Sequence, residues 1–334
     1  MKRPILPLFL NRAGCPQECL FCNQSVSGET PVAPAAVLSY LAGQLERFPS
    51  GPVEIAFYGC SFTGLPEPIQ EHLLSGVREV AGERGLAIRV DVRPDQLDEA
   101  AVERLRRNGV ETVEIGVQSM RDDILRRLRR GHDAAAVRAA VTTARRAGLK
   151  VVLQLMYGLP DETVSMALGS LRAALALRPD GVRLHPALAL AGTGLDALRA
   201  EGLYQPLSLA RAVVWGARML QLCHRAGVPV IRIGLQANTA LSDPALAAGP
   251  FHPAMRSLVE SELRRWRLLA EVRRSGIQSA EMRVWCAPRR RDYWAGHGGS
   301  NVRFLRQRFG ITLRISPAEM TEDRIEWCEG GAGS

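Results

Sequence analysis

Residues 5–24 read Ile5-Leu-Pro-Leu-Phe-Leu10-Asn-Arg-Ala-Gly14-Cys15-Pro-Gln-Glu-Cys19-Leu-Phe21-Cys22-Asn-Gln24, an apolar run that passes directly into three clustered cysteines. The run has the length and composition of a buried strand, which places the cysteines in the loop that follows it. Outward from there, short apolar runs recur at 53–58, 87–92, 112–117, 149–156 and 182–185. Amphipathic stretches at 34–48, 67–84, 97–108, 133–147 and 162–177 alternate with them, their apolar residues three and four apart. Arg84-Gly85, Asn108-Gly109 and Ala147-Gly148 read as helix C-terminal signals. Strand and helix in this alternation predict an α/β protein with parallel strands and right-handed crossovers. Pattern alone leaves the sheet either doubly wound or curled into a barrel, with too few units for a closed eightfold one.

A further strand-like run at 228–235 follows a helical stretch at 207–226 and would extend the sheet at its edge. The turn-rich segment 242–253, with Asp-Pro, Gly-Pro and His-Pro pairs, is the best boundary. Beyond it the pattern predicts a charged helix at 253–275, a strand near 280–286, a helix at 300–309 and a strand at 311–315. The expected organisation is an α/β domain over 1–245 and a small α+β annex over 246–334 that covers its mouth.

A length of 334 residues suits one large core with an appendage. The hydrophobic share of 46% and the lack of low-complexity sequence, apart from the glycine-rich 330–334, predict an ordered chain. The formal charge of +9 comes almost wholly from arginine; Lys2 and Lys150 are the only lysines, so Schiff-base chemistry has few candidates. That charge favours a polyanionic partner only if the arginines share a face. The N-terminus is basic and then apolar, as a secretion signal is, but Pro7 breaks the run and no small-residue cleavage site follows. No stretch is long enough to span a bilayer. The expectation is therefore a cytoplasmic protein without a membrane partner, in a compartment where clustered thiols point to metal and not to disulfides.

Cys15, Cys19 and Cys22 form a Cys-x3-Cys-x2-Cys array. Thiolates are the ligands iron-sulfur clusters need, and this spacing lets one loop wrap three corners of a 4Fe-4S cubane. The iron left open could chelate the amino and carboxylate groups of S-adenosylmethionine (SAM), whose sulfonium yields a 5′-deoxyadenosyl radical on taking an electron. The alternative is a structural zinc site, which ordinarily takes four protein ligands. Cys60 and His72 are the next candidates, neither at matching distance and the latter inside a helical pattern.

Further motifs follow in order: Phe57-Tyr-Gly-Cys-Ser-Phe-Thr63, Arg93-Pro-Asp95, Glu114-Ile-Gly-Val-Gln-Ser119 and Tyr157-Gly-Leu-Pro160. With the cysteine array, they make the chain from about 5 to 252 resemble the radical SAM superfamily, and within it the group around the elongator catalytic subunit and oxygen-independent coproporphyrinogen oxidase. The resemblance implies a partial (β/α)6 barrel with its site at the strands' carboxyl ends, in keeping with the general barrel rule. It also implies a 4Fe-4S cluster on the three cysteines, SAM as cofactor, and an electron donor such as ferredoxin or flavodoxin. The implied reaction is hydrogen abstraction from a substrate, with tRNA-like RNA favoured. A small molecule or porphyrin-like precursor is the alternative substrate, and a non-catalytic iron-sulfur or zinc protein the alternative class. The sequence holds no acetyltransferase-like continuation and no long extension before Cys15, so neither uridine acetyl chemistry nor coproporphyrinogen decarboxylation is expected to carry over.

Site residues follow from the same resemblance. Phe21 lies between the second pair of cysteines. Tyr58, Gly59, Cys60 and Ser61 stand where relatives carry two glycines against the SAM amino group, with Cys60 replacing the second, its side chain expected to point away, with facing the cofactor as the alternative. Gln118 and Ser119 end the fourth strand near the expected SAM ribose, and Arg130 matches a partner of the SAM carboxylate. Arg130 also belongs to a basic run with Arg121, Arg126, Arg127 and Arg129 that would equally make a solvated helix face. Asp91 and Gln154 occupy positions of ribose-binding carboxylates, a role Glu114 could take instead. His185 ends the sixth strand, either as a catalytic group looking into the barrel mouth or as a capped structural histidine. Cys223 and Cys286 could donate hydrogen atoms, or be small buried apolar groups. In the annex Trp285, Arg289, Arg290, Arg291, Tyr293, Trp294, the turn 296–299, Arg303, Arg306 and Arg308 interleave aromatic and basic groups. Such a set suits stacking on bases and contact with phosphates, a porphyrin or a protein surface, or is an exposed loop without a ligand.

Overall fold

The computed structural model describes residues 3–10, 13–16, 19–23, 36–48, 51–82, 84–236, 240–276 and 281–328. Lys2, the residues Asn11, Arg12, Gln17, Glu18 and Gln24 of the quoted stretch, the first residues of the helix expected from 34, position 280, and the glycine-rich 330–334 lie outside them.

The apolar runs form strands β1 (Ile5–Phe9), β2 (Val53–Tyr58), β3 (Leu86–Val92), β4 (Val110–Gln118), β5 (Lys150–Tyr157), β6 (Gly181–Pro186) and β7 (Val230–Ile233). They pair in that order, all parallel, as a seven-stranded curled half-barrel. The edge run expected at 228–235 is thus the seventh strand. Leu8, Ile55, Phe57, Val113, Leu153 and Leu184 are buried and share one face of the sheet by register, while the alternate residues face the lumen.

Helices α1 (Val37–Arg47), α2 (Glu67–Ala81), α3 (Glu99–Arg107), α4 (Ala134–Arg146) and α5 (Val164–Leu175) make the crossovers. Asp98 and Asp133 cap α3 and α4, each carboxylate accepting a backbone N–H at 2.8 Å. Gly109 and Gly148 follow these helices with φ of +79°, the left-handed stop their sequence signals. The first such signal was misplaced: α2 ends at Ala81 and its cap is Gly82, at φ +57°, not Gly85.

By its contacts the chain divides into two units, Met1–Leu209 with Leu222–Pro253, and Ala210–Gln221 with Ala254–Ser334. The second is built on helix α6 (Met255–Ser275) and a sheet of β8 (Glu281–Cys286), β9 (Thr312–Pro317) and β10 (Arg324–Cys328). The central strand is β8, parallel to β9 and antiparallel to β10, and β10 has no counterpart in the sequence reading. Trp294 is fully buried and donates Nε1 to Asp323 Oδ2 at 3.0 Å, so it holds the core and offers no stacking platform. Trp285 Nε1 is likewise taken by Glu326 at 2.6 Å, and Arg290 pairs with Asp323 at 2.8 Å. Arg289, Arg291, Arg303, Arg306 and Arg308 are exposed. Among the described residues no helix is long and apolar enough to cross a membrane.

Candidate functional site

The cysteine loop is sewn to the ends of β1 and β2. Leu10 N donates to Tyr58 O at 2.9 Å and Ser61 N to Ala13 O at 2.9 Å, while Gln96 Nε2 donates to Gly14 O at 3.2 Å. Gly14 has φ +68°, and a Cβ there would stand 2.3 Å from the carbonyl oxygen of Ser61. Only glycine lets the two backbones approach so closely. Farther along, Leu20 N donates to Leu128 O at 3.1 Å and its carbonyl accepts from Leu195 N at 2.8 Å.

Cys15, Cys19, Phe21 and Cys22 then share a cavity of about 130 Å³ with Gly59, Cys60, Asp91, Gln118, Arg130 and Gln154. Of the residues named from sequence, Ser61 and Ser119 are absent from this wall. The Ser61 hydroxyl bonds to Gln96 and accepts from Arg93 N, and that of Ser119 lies 2.9 Å from Ser170 Oγ. Tyr58 lies one chamber deeper. Cys60 faces the cavity, its thiol pushed up by burial, Asp91 and Cys15.

Arg130 is buried and reaches back from the turn after the short helix Asp122–Arg127. Its Nη1 donates to Cys19 Sγ at 3.5 Å and its Nη2 to Gly116 O at 2.8 Å, leaving Nε without a partner. Arg93, which the sequence reading gave no role, holds Arg130 O at 2.7 Å and Asp95 at 2.9 Å. Its place in an Arg-Pro-Asp turn at a strand end was the available signal. Gln118 sits at φ +63° beside a bulge between β4 and β5, and its Oε1 has no partner. Asp91 Oδ1 is equally unsatisfied. Burial and then Glu114 push the Asp91 carboxyl well above its usual range.

Three thiols, a guanidinium and several orphaned buried acceptors around one cavity fit a thiolate-held cluster with a polar, zwitterionic cofactor beside it. Among the described residues no three His, Cys, Asp or Glu side chains converge on a point for one metal ion.

A second chamber of about 510 Å³ fills the lumen and shares Gly59, Asp91 and Gln154 with the first. Phe9, Tyr58, Arg183, His185 and Arg232 also line it. Glu114, almost wholly buried and part of the wall of the first cavity, pairs with Arg89 and with Arg183, the latter at 2.9 Å, and Arg89 reaches Glu54 at 2.8 Å. The Tyr58 hydroxyl donates to Glu114 at 3.3 Å and accepts from Arg183, whose guanidinium lies 4.7 Å from the ring centre. His185 is buried, its Nε2 unpartnered, and burial followed by Arg183 and Arg232 lowers its pKa to about 3. The ring is therefore neutral near pH 7, able to share a hydrogen bond but not to serve as a cation. Cys223 and Cys286 are buried and face neither chamber.

The family described as "Radical SAM superfamily" matches residues 13–174, and the "Radical_SAM C-terminal domain" matches 179–265, together well over half of the chain. The chain belongs to the radical SAM superfamily. Proteins of this superfamily are enzymes that use a 4Fe-4S cluster and SAM. Among curated relatives, Elongator complex protein 3 of Homo sapiens is 28% identical over 70% of this chain and 44% of its own length. A tRNA uridine(34) acetyltransferase of Dehalococcoides mccartyi is 34% identical over 39% of this chain and 29% of its own. The chain thus spans less than half the length of these relatives. Among solved structures, the archaeal Methanocaldococcus infernus Elp3 with an N-terminal deletion superposes with a TM-score of 0.61 at 18% identity, covering 84% of this chain and 66% of that one. That likeness is one of fold.

Proposed function

We propose that this radical SAM enzyme holds its cluster on Cys15, Cys19 and Cys22, binds SAM between Gly59, Asp91, Gln118, Arg130 and Gln154, and abstracts hydrogen from RNA, one nucleotide of which enters the lumen chamber. When bound and reduced, by a donor of the ferredoxin or flavodoxin kind, the cluster supplies the electron that cleaves SAM into methionine and a 5′-deoxyadenosyl radical. The protein's part is placement. Arg130 offers its unpartnered Nε to the SAM carboxylate, and the free oxygens of Asp91 and Gln118 accept from the ribose. Gly59 brings bare backbone to the wall that the two chambers share. That shared wall carries the reading, because a radical formed in one chamber meets a C–H bond held in the other. RNA is supported by the tRNA-directed relative and by the exposed arginines of the annex. A chamber of about 510 Å³ admits one splayed-out nucleotide, not a helix.

The test is anaerobic reconstitution of wild type and the Cys15→Ala/Cys19→Ala/Cys22→Ala variant, with dithionite-driven release of 5′-deoxyadenosine measured by chromatography. Release by wild type alone supports the reading; SAM-free, inactive wild type with a full cluster overturns it. Stimulation by total tRNA that falls steeply with salt supports RNA. The second reading is a small molecule enclosed whole, which the chamber volume allows. It gains if small acids stimulate release and tRNA does not.

A further inference from the structure

Arg232 of β7 and Arg183 of β6 are register partners, two guanidinium groups side by side on the lumen face. Like charges directly opposite one another destabilise a sheet, and burial adds to the cost. For Arg183 the surroundings offset this through Glu114 at 2.9 Å, the Tyr58 hydroxyl and the Tyr58 ring. For Arg232 the attraction of Tyr58 and Glu114 acts without a hydrogen bond or ion pair and is outweighed by burial and by Arg183, which together lower its pKa. It is half-buried in the chamber wall, and among the described residues no hydrogen bond or ion pair holds it. The lumen's acids are already used, since Glu54 and Glu114 pair with Arg89 and Arg183. Asp91, across the chamber, is driven towards its neutral form by burial and Glu114. One cation is left over, beside the orphaned Nε2 of a neutral His185.

We propose that Arg232 is the anchor for an oxyanion of the substrate, a carboxylate or a phosphate, with His185 Nε2 as its second contact and the rest of the bound unit extending towards Gly59, Asp91 and Gln154. This rests on the reading of the lumen chamber as the substrate's. A guanidinium presents paired N–H donors in the fork that an oxyanion matches, and the half-buried setting strengthens such a bond. The anchor fixes which end of the substrate lies deep at β7 and which lies at the SAM wall. It thereby selects the C–H bond that reacts, and a substrate lacking the anion would bind without register. The two sources of an oxyanion here are the phosphate of a nucleotide and the carboxylate of a small acid.

The full chain, purified anaerobically and unreduced, is titrated calorimetrically with inorganic phosphate, uridine 5′-monophosphate and succinate. Wild type is compared with Arg232→Met, which keeps the stem and removes the charge, and with Arg232→Lys. The expected result is a dissociation constant at least tenfold weaker in Arg232→Met for one class of anion, with partial recovery in Arg232→Lys. A loss confined to the nucleotide and phosphate identifies a nucleotide source, and a loss confined to succinate identifies a small acid; each supports the anchor. Equal binding of every anion by wild type and Arg232→Met overturns it. Thermal unfolding without ligand is the independent check. Removing a cation kept for a ligand raises the melting temperature, whereas a fall would mean that Arg232 is structural and would overturn the proposal. Neither measurement requires SAM cleavage, so failure of the radical assay and failure of the anchor are separately readable.

Discussion

Arg130 joins the cysteine loop to the central strand, donating to Cys19 Sγ at 3.5 Å and to the carbonyl of Gly116 at 2.8 Å. Its own carbonyl is held by Arg93 at 2.7 Å, so the residue is fixed at both backbone and head group. A glycine at 116 is part of the arrangement, because a Cβ there would lie 2.8 Å from Arg130 Nη2.

Arg130→Gln is therefore expected to weaken SAM binding by 10- to 100-fold, about 1.5–3 kcal/mol for a hydrogen bond to a charged group. Iron content stays unchanged. Equilibrium dialysis with labelled SAM alongside an iron assay checks both. Arg130→Lys recovers little, since an ammonium cannot span the same two acceptors and a third group.

Gly14→Ala forces a side chain into a left-handed turn and against the Ser61 carbonyl. The expected cost is about 3 kcal/mol, drawn from backbone strain and the displaced loop. Thermal melting should fall by roughly 6–12 °C for a unit of this size. Iron incorporation should fall with it, whereas Gly43→Ala, in α1 with open space around it, leaves iron incorporation unchanged and raises the melting temperature slightly, by about 0.5–1 kcal/mol of helix stability.

Glu114→Gln removes the shared partner of Arg89 and Arg183 and leaves two guanidinium groups facing a neutral amide. Breaking one side of a buried ion network costs about 3–5 kcal/mol. Urea unfolding should show a lower midpoint with an unchanged slope, the sign of lost stability without a change in the surface exposed.

For His185, the folded pKa of about 3 lies below the unfolded value near 6.5. The neutral ring is the form the fold prefers, so its contribution is complete above about pH 6.5 and is lost as pH falls towards 3. Stability should drop by roughly 1.4 kcal/mol per pH unit across that window for this one group. His185→Gln should remove that slope, which unfolding curves at pH 7 and pH 5 would measure.

Much of the half-barrel was legible because parallel strands need apolar runs and crossover helices need stops, and Gly109 and Gly148 supply both signals in plain sequence. The cysteine array and its neighbours were legible as a cavity wall, since residues at strand ends converge by topology alone. Side-chain direction was not. Ser61 and Ser119 stand at the right places in their motifs, yet their hydroxyls are taken by Gln96 and Ser170. The annex misled in the same way, because Trp294 and Arg290 look like a ligand surface until Asp323 is brought to them from 29 and 33 residues away. Strand β10 was invisible since its residues are only half-buried and carry no apolar run. Arg232 could be found only from register, which sequence does not state.

The sheet ends at β1 on one side and β7 on the other, and both edges contribute to the larger chamber, through Ile5, Pro7 and Phe9 on the first and Ile231 and Arg232 on the second. In a closed barrel, strand number and stagger fix the bore. Among the described residues no ring of backbone bonds is complete, and Pro7 has no amide hydrogen with which to complete one. The girth of the chamber is set by how tightly the sheet curls, so a guest of different thickness can be accommodated by flexing the curl, with every ladder hydrogen bond kept.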